Sequence, residues 1–231
     1  MAVAQSIIGT SFKTRQVFAL KASTYTGNGV WTDTISNKAF TLNNGPTWSD
    51  TNGGQFRFDA NSGQWADTAP GTSLPGMSSF TIQGVFKIHT VPDTGFPCLI
   101  TENWPGSGTK INYALGFINT QTTIAGGFFN SNEGFWNTAD AITSVDVDTW
   151  YDVVCSFHSP SKTVKTYVNG TLINSATVIG TAGTDNAGIR IARRWDDEQY
   201  LDCTIKDINI WSGVLTPNEV SKIHTHYNSL V

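Results

Sequence analysis

Three short stretches set an aromatic ring among hydrogen-bonding side chains: Glu102-Asn103-Trp104-Pro105, Glu133-Gly134-Phe135-Trp136-Asn137 and Arg193-Arg194-Trp195-Asp196-Asp197-Glu198-Gln199-Tyr200. A sugar presents flat C–H faces ringed by hydroxyls, so a carbohydrate site needs a ring beside carboxylates, amides or guanidinium groups. The candidate ligand-binding residues are therefore Arg193, Arg194, Trp195, Asp196, Asp197 and Tyr200, with Trp104 and Trp136 as further rings. The same mixture also describes a protein–protein hot spot, in which Trp, Tyr and Arg dominate. A third reading is that the tryptophans merely cap the ends of the fold.

Other chemistry is sparse. Val145-Asp146-Val147-Asp148 alternates, but its two short carboxylates read as a solvated entry to a strand. Asp59-Ala60-Asn61-Ser62-Gly63 offers alternating oxygens without the downstream bidentate glutamate of a calcium loop, and reads as an Asx turn. His224-Thr225-His226 puts two imidazoles on different faces of a helix, unlike the i, i+4 spacing that shares a metal, and a solvated C-terminal helix is expected. Pro105-Gly106-Ser107-Gly108-Thr109-Lys110 lacks the spacing of a phosphate-binding loop. No metal site and no cofactor are expected. Net charge is −4 with the basic residues scattered, which disfavours nucleic acid as a partner.

The elements that would position these residues are strands. Phe80, Ile82, Phe86 and Ile88 alternate with Thr81, Gln83, Lys87 and His89, the pattern of a half-buried strand. Ile111–Ile118, Cys98–Thr101, Thr123–Phe129 and Gly188–Ala192 repeat that pattern. Trp150–Phe157 and Lys165–Ile173 follow, and Asn169-Gly170 in the latter supplies the two residues that tolerate the positive φ of a type I′ hairpin turn. After Cys203–Trp211, Thr216 is a predicted N-cap, Pro217 takes the first helical position and Glu219 completes a capping box, so a helix is expected near residues 217–227. Charged residues make up only 14 %, while aromatics reach 12 %, enough to fill a core between sheets. Cys98, Cys155 and Cys203 are odd in number and lie in predicted strands, which favours buried free thiols over disulfides.

The run Trp150 to Ile173, followed by Ile205-Lys206-Asp207-Ile208-Asn209-Ile210-Trp211 and Leu215–Val220, resembles the laminin-G-like (LamG) branch of the concanavalin A-like lectin/glucanase superfamily. Trp31-Thr32-Asp33 and Gln55-Phe56-Arg57-Phe58-Asp59 extend the resemblance, which covers roughly residues 17–231. It implies an all-β fold: a two-sheet antiparallel jelly-roll sandwich with one short C-terminal helix, and Trp31, Trp150 and Trp211 packed in its core. Superfamily members that cut β-glucans carry two glutamates flanking an aspartate on one strand, which sets acid and nucleophile about 5 to 5.5 Å apart. Here the glutamates are Glu102, Glu133, Glu198 and Glu219, far apart in sequence, so no enzymatic activity is expected. In calcium-stabilised relatives a carboxylate stands where this chain has Lys206, and a one-residue shift on a strand would turn Asp207 to the opposite face.

Residues 1–16 carry little that would bury itself and read as an N-terminal arm and anchoring segment, ahead of a single domain at 17–231. The start of the chain lacks the basic and apolar regions of a signal peptide, and no run approaches the roughly 20 apolar residues of a membrane span. The expectation is a non-catalytic lectin-like module made in the cytoplasm and carried on a virion surface, as a phage capsid decoration or tail-associated protein. Its partners would be assembly proteins through the arm and cell-surface glycans through the aromatic loops. The alternatives are a free carbohydrate-binding lectin and a polysaccharide-degrading enzyme.

Overall fold

The computed structural model describes residues 13–104, 110–118, 122–130, 135–183, 188–194 and 199–228. In chain order the strands are β1 (Gln16–Lys21), β2 (Val30–Thr32), β3 (Ala39–Asn43), β4 (Thr47–Ser49), β5 (Gln55–Phe58), β6 (Trp65–Asp67), β7 (Phe80–Ile88) and β8 (Cys98–Trp104). They continue with β9 (Lys110–Gly116), β10 (Ile124–Asn130), β11 (Phe135–Ile142), β12 (Trp150–His158), β13 (Thr163–Val168), β14 (Thr171–Thr177), β15 (Gly188–Ile191) and β16 (Cys203–Ser212). One helix, α1 (Pro217–Asn228), follows.

Two antiparallel sheets of eight strands face each other. The first runs β14-β13-β12-β7-β16-β5-β4, with β1 also paired to β16, and the second runs β11-β10-β9-β8-β15-β6-β3-β2. Alternation drives the assembly: Phe80, Ile82, Phe86 and Ile88 of β7 join Ile205, Ile208 and Ile210 of β16 in the core between the sheets, with Tyr113, Leu115, Ile189 and Ile191 of the second sheet opposite. The expected hairpin forms at Asn169 and Gly170, whose φ values are 50° and 77°. Trp31 and Trp211 are fully buried, whereas Trp150 is only half-buried. Cys98, Cys155 and Cys203 are buried free thiols, and burial pushes the Cys155 and Cys203 thiols well up.

Strand β7 departs from its sequence pattern, because both of its faces are buried. Val85, Val154, Tyr167 and Trp211 form a second apolar cluster on the outer face of the first sheet, and Leu215, Val220 and Ile223 cover it. The α1 helix is thus a lid and not a solvated appendage; fully burying side chains such as Val220 and Ile223 contributes roughly 1.5–3 kcal/mol each. Polar groups under the lid are paired: Gln83 donates to Asp152 at 2.7 Å, Asn209 donates to Gln83 at 3.2 Å, and His224 meets Asp152 at 3.1 Å. His226 stays exposed on another face of the helix. The capping box is complete, with Glu219 N donating to Thr216 Oγ1 at 3.3 Å and Thr216 N donating to Glu219 Oε2 at 2.7 Å.

The chain is tied at the start of β1 as well. Arg15 donates to the Val214 carbonyl at 2.9 Å and pairs with Glu219 at 2.5 Å, while Gln16 donates to Asn209 at 2.8 Å. Residues 15 and 16, counted with the arm in the sequence, belong to the sandwich; residues 1–12 lie outside the described residues.

Candidate functional site

Cys203 pairs with both Phe58 and Ile88, so the segments that follow β5, follow β7 and precede β16 all leave the sandwich at one pole. They enclose a cleft of about 350 Å³ lined by Ala60 and Asn61, by residues 90–94, and by Gln199, Tyr200, Leu201 and Asp202. Each wall is fixed by local chemistry. In the first, Asp59 accepts from Asn61 N at 2.9 Å and from the Ser62 hydroxyl at 2.8 Å, the Asx turn read from the sequence; Ser62 first, then Asn61, holds the Asp59 carboxyl below its ordinary range. In the second, His89 N donates to the Asp202 carbonyl at 2.9 Å and the Thr90 hydroxyl donates to its carboxylate at 2.6 Å, while Phe96 N donates to Gln199 Oε1 at 2.5 Å. Gly95 lies against that amide with φ 77°, and a Cβ there would come within 1.8 Å of Gln199.

The third wall carries the sequence candidates. Tyr200 is half-buried and lies 5.7 Å from the Trp65 ring; the Arg193 guanidinium sits 4.2 Å from Trp65 and 4.9 Å from Tyr200. With only 8 % of its surface exposed, Arg193 packs against the Trp65 and Tyr200 rings and helps to orient Tyr200. Arg194 donates to Gln199 at 3.2 Å and lies 5.6 Å from the Phe96 ring. Trp195, Asp196 and Asp197 fall outside the described residues.

Trp104 and Trp136 do not join this group. Gly188 pairs with Trp104 and Ile191 with Ile100, so Trp104 ends β8 at the pole opposite the cleft; its side chain lies outside the described residues. Trp136 sits on edge strand β11, half-buried, with its ring 5.5 Å from Phe129. Asn61, Thr90, Asp93 and Asp202 line the cleft without having been singled out as binding residues in the sequence, because they come from separate loops, and only the register of β5, β7 and β16 unites them.

Two further polar groups bear on the chemistry. Glu102 lies buried between the sheets, accepting from Leu74 N at 2.7 Å and from Asn112 at 3.0 Å, and burial raises its pKa to about 7. Lys206 is buried on the outer face of the first sheet with its ammonium 4.8 Å from the Trp150 ring, and desolvation lowers its pKa. A β-bulge between Ile205 and Asp207 breaks the alternation there. Asp207 therefore pairs with Val85 of the outer cluster and shares a face with Lys206, against the flip expected from a regular strand. Among the described residues no three His, Cys, Asp or Glu side chains gather as metal ligands.

A family model described as the concanavalin A-like lectin/glucanases superfamily, of laminin-G type, matches residues 59–221. The chain belongs to this superfamily. Its jelly roll superimposes on concanavalin A-like domains of different kinds. A botulinum neurotoxin serotype D ligand-binding domain, solved in complex with N-acetylneuraminic acid, is 13 % identical at a TM-score of 0.69, covering 92 % of this chain and 51 % of its own. A Trypanosoma rangeli sialidase is 15 % identical at 0.65, over 93 % of this chain and 33 % of its own. Domain 4 of the arabinanase AbnA from Geobacillus stearothermophilus, in complex with arabinotriose, is 17 % identical at 0.67, over 91 % of this chain and 98 % of its own. The chain thus spans about half the length of the neurotoxin domain and nearly all of the arabinanase domain. No curated protein matches the chain in sequence. No helix among the described residues is long and apolar enough to cross a membrane.

Proposed function

We propose that this superfamily member is a non-catalytic glycan-binding module whose sugar site is the cleft walled by residues 59–64, 89–97 and 199–202. The observation that carries the reading is the meeting of the oriented Tyr200 ring with the exposed Asn61, Thr90 and Asp93 in one open cleft of about 350 Å³. A ring face with amide, hydroxyl and carboxylate groups around it is what a saccharide's apolar face and equatorial hydroxyls require. Neurotoxin and arabinanase domains of the same fold, solved with sugars bound, support the class of ligand. In this reading the cleft binds a glycan without cleaving it: Asp202 is engaged by Arg57 and Thr90, and the buried Glu102 lies outside the cleft.

The module is proposed to be attached to a larger assembly, such as a virus particle, through its N-terminal arm. Strand β16 runs from Cys203 at the cleft to Ser212 beside Arg15, and its ten residues span about 30 Å at roughly 3.3 Å per residue. The arm therefore enters the sandwich at the pole opposite the cleft, the arrangement a displayed receptor needs.

A glycan array probed with the full chain tests the sugar reading. Titration of the strongest ligand should then show Asp93→Ala and Tyr200→Ala each weakening binding about tenfold or more, which is about 1.4 kcal/mol, with no sugar released on prolonged incubation. Binding that ignores both substitutions, or no binding to any saccharide, would overturn the assignment.

A further inference from the structure

Residues 68–79 pass from β6 in the second sheet to β7 in the first and form neither strand nor helix. Both ends of this strap are fixed. Thr68 N donates to the Ile189 carbonyl and the Thr68 hydroxyl accepts from Ile189 N, each at 3.0 Å. Ser79 accepts from Gly213 N at its carbonyl and from Ser159 N at its hydroxyl, each at 2.9 Å. Between those ends Leu74 and Met77 are buried, and Leu74 N donates to Glu102 Oε1 at 2.7 Å. Pro75, Gly76 and Met77 close a narrow crevice whose other walls include Glu102, Asn112 and Tyr113.

Glu102 is thus a latch point, and it is only 2 % exposed. Among the described residues no cation forms an ion pair with it. Tyr113 faces it from β9, with Asp33 acting on that phenol, and Lys38 acts on the carboxyl from the turn before β3. Strand β15 sets Ile189 opposite it, β7 contributes Phe80, and residues 68–79 carry no titratable side chain.

Ionisation in the closed state pulls in two directions. A carboxylate accepts more strongly than the acid from Leu74 N and Asn112, which would tighten the strap, but loss of hydration opposes the charge. Burial is the larger effect, because it raises the group to about 7 despite both donors. Lifting Leu74 away readmits water to the carboxylate. Proton binding therefore favours closure, which is fully supported below about pH 4.5 and is lost as pH rises through 7.

We propose that residues 69–78 are a pH-operated strap, latched while Glu102 carries a proton and released when that carboxyl ionises, uncovering the end of the sandwich between Phe80 and Tyr113. The released end adjoins the start of β1, since Ser79 accepts from Gly213 and the neighbouring Ser212 donates to Arg15. The device does not depend on the sugar reading, and the strap contributes no residue to the cleft.

Amide hydrogen exchange of the full chain from pH 5 to pH 8, corrected for the intrinsic rate at each pH, tests this. Protection of Leu74 and residues 76–79 should fall on the order of tenfold or more across that range, while β7 and β12 keep theirs. Glu102→Gln should hold the strap closed throughout, because the amide cannot ionise. That variant also separates Glu102 from His158, which precedes the Ser159 that bonds Ser79. Carbon-13 titration of the Glu102 carboxyl in the parent gives a measure independent of the variant's folding: strap opening should follow the carboxyl's own midpoint, about 7. Protection that stays level, that falls in the strands together with the strap, or that falls equally in Glu102→Gln overturns the proposal. So does a carboxyl that ionises at its ordinary value.

Discussion

Glu102 carries a carboxyl group into the space between the sheets, where two donors, Asn112 and Leu74 N, do not fully replace its hydration. Burial raises its pKa from 4.5 to about 7, so the folded protein holds a proton that the unfolded chain releases. The contribution is therefore intact below about pH 4.5 and is lost as pH rises through 7, at a cost on the order of 3 kcal/mol. Desolvation also raises the buried Asp152 carboxyl, despite Gln83 and His224, which adds the same sign. Denaturant unfolding at pH 5 and pH 8 should show the parent weaker at pH 8 and Glu102→Gln with most of that difference removed; an unchanged difference would place its origin elsewhere. None of this was visible in Glu102-Asn103-Trp104, where the glutamate looked like a polar neighbour for a surface ring. Whether a carboxylate faces water or the core depends on register against other strands. The surroundings of Arg193 were hidden for a related reason, since its partner rings come from positions 65 and 200.

At the level of elements, local signals were legible and lateral ones were not. Asn169-Gly170 and the Thr216-Pro217-Asn218-Glu219 cap specify a turn and a helix start within four residues, and both formed as read. Which surface the helix covers is set by Val220 and Ile223 meeting Trp211, Tyr167 and Val154, contacts far apart in sequence. Hence β7, whose alternation signalled one wet face, is buried on both. The cap can be tested separately from the lid: Thr216→Ala should cost about 1 kcal/mol, the usual value of a lost N-cap. Glu219→Ala should cost more, because the same carboxylate also holds Arg15; although burial opposes it, the bonds from Thr216 N and Arg15 keep Glu219 below its ordinary pKa. Equilibrium unfolding of both variants, with Arg15→Ala and Arg15→Ala/Glu219→Ala, would close a double-mutant cycle. Strictly additive losses would show that the Arg15 contact contributes nothing.

The whole molecule is organised along β16, with the cleft at one pole and the junction of β1 and α1 at the other. Among the described residues the cleft lining and the Arg15–Gln16 junction have no residue in common, so attachment and recognition are expected to be separable. Deleting residues 1–12 should leave the melting temperature and the affinity for a glycan ligand unchanged while abolishing attachment to the proposed assembly. Extending the deletion through residue 16 should behave differently, because it removes the Arg15 bonds to Val214 and Glu219 and the Gln16 bond to Asn209. Net hydrogen bonds of this kind contribute about 1 kcal/mol each, so the longer deletion should lose roughly 2–3 kcal/mol and loosen α1 over the outer face. Thermal melts, glycan titration and a pull-down of assembly components on the two deletions would measure all three properties together. If the shorter deletion weakened glycan binding, the arm would be coupled to the cleft and the picture of two independent poles would fail. If it left attachment intact, the anchor would lie elsewhere on the molecule.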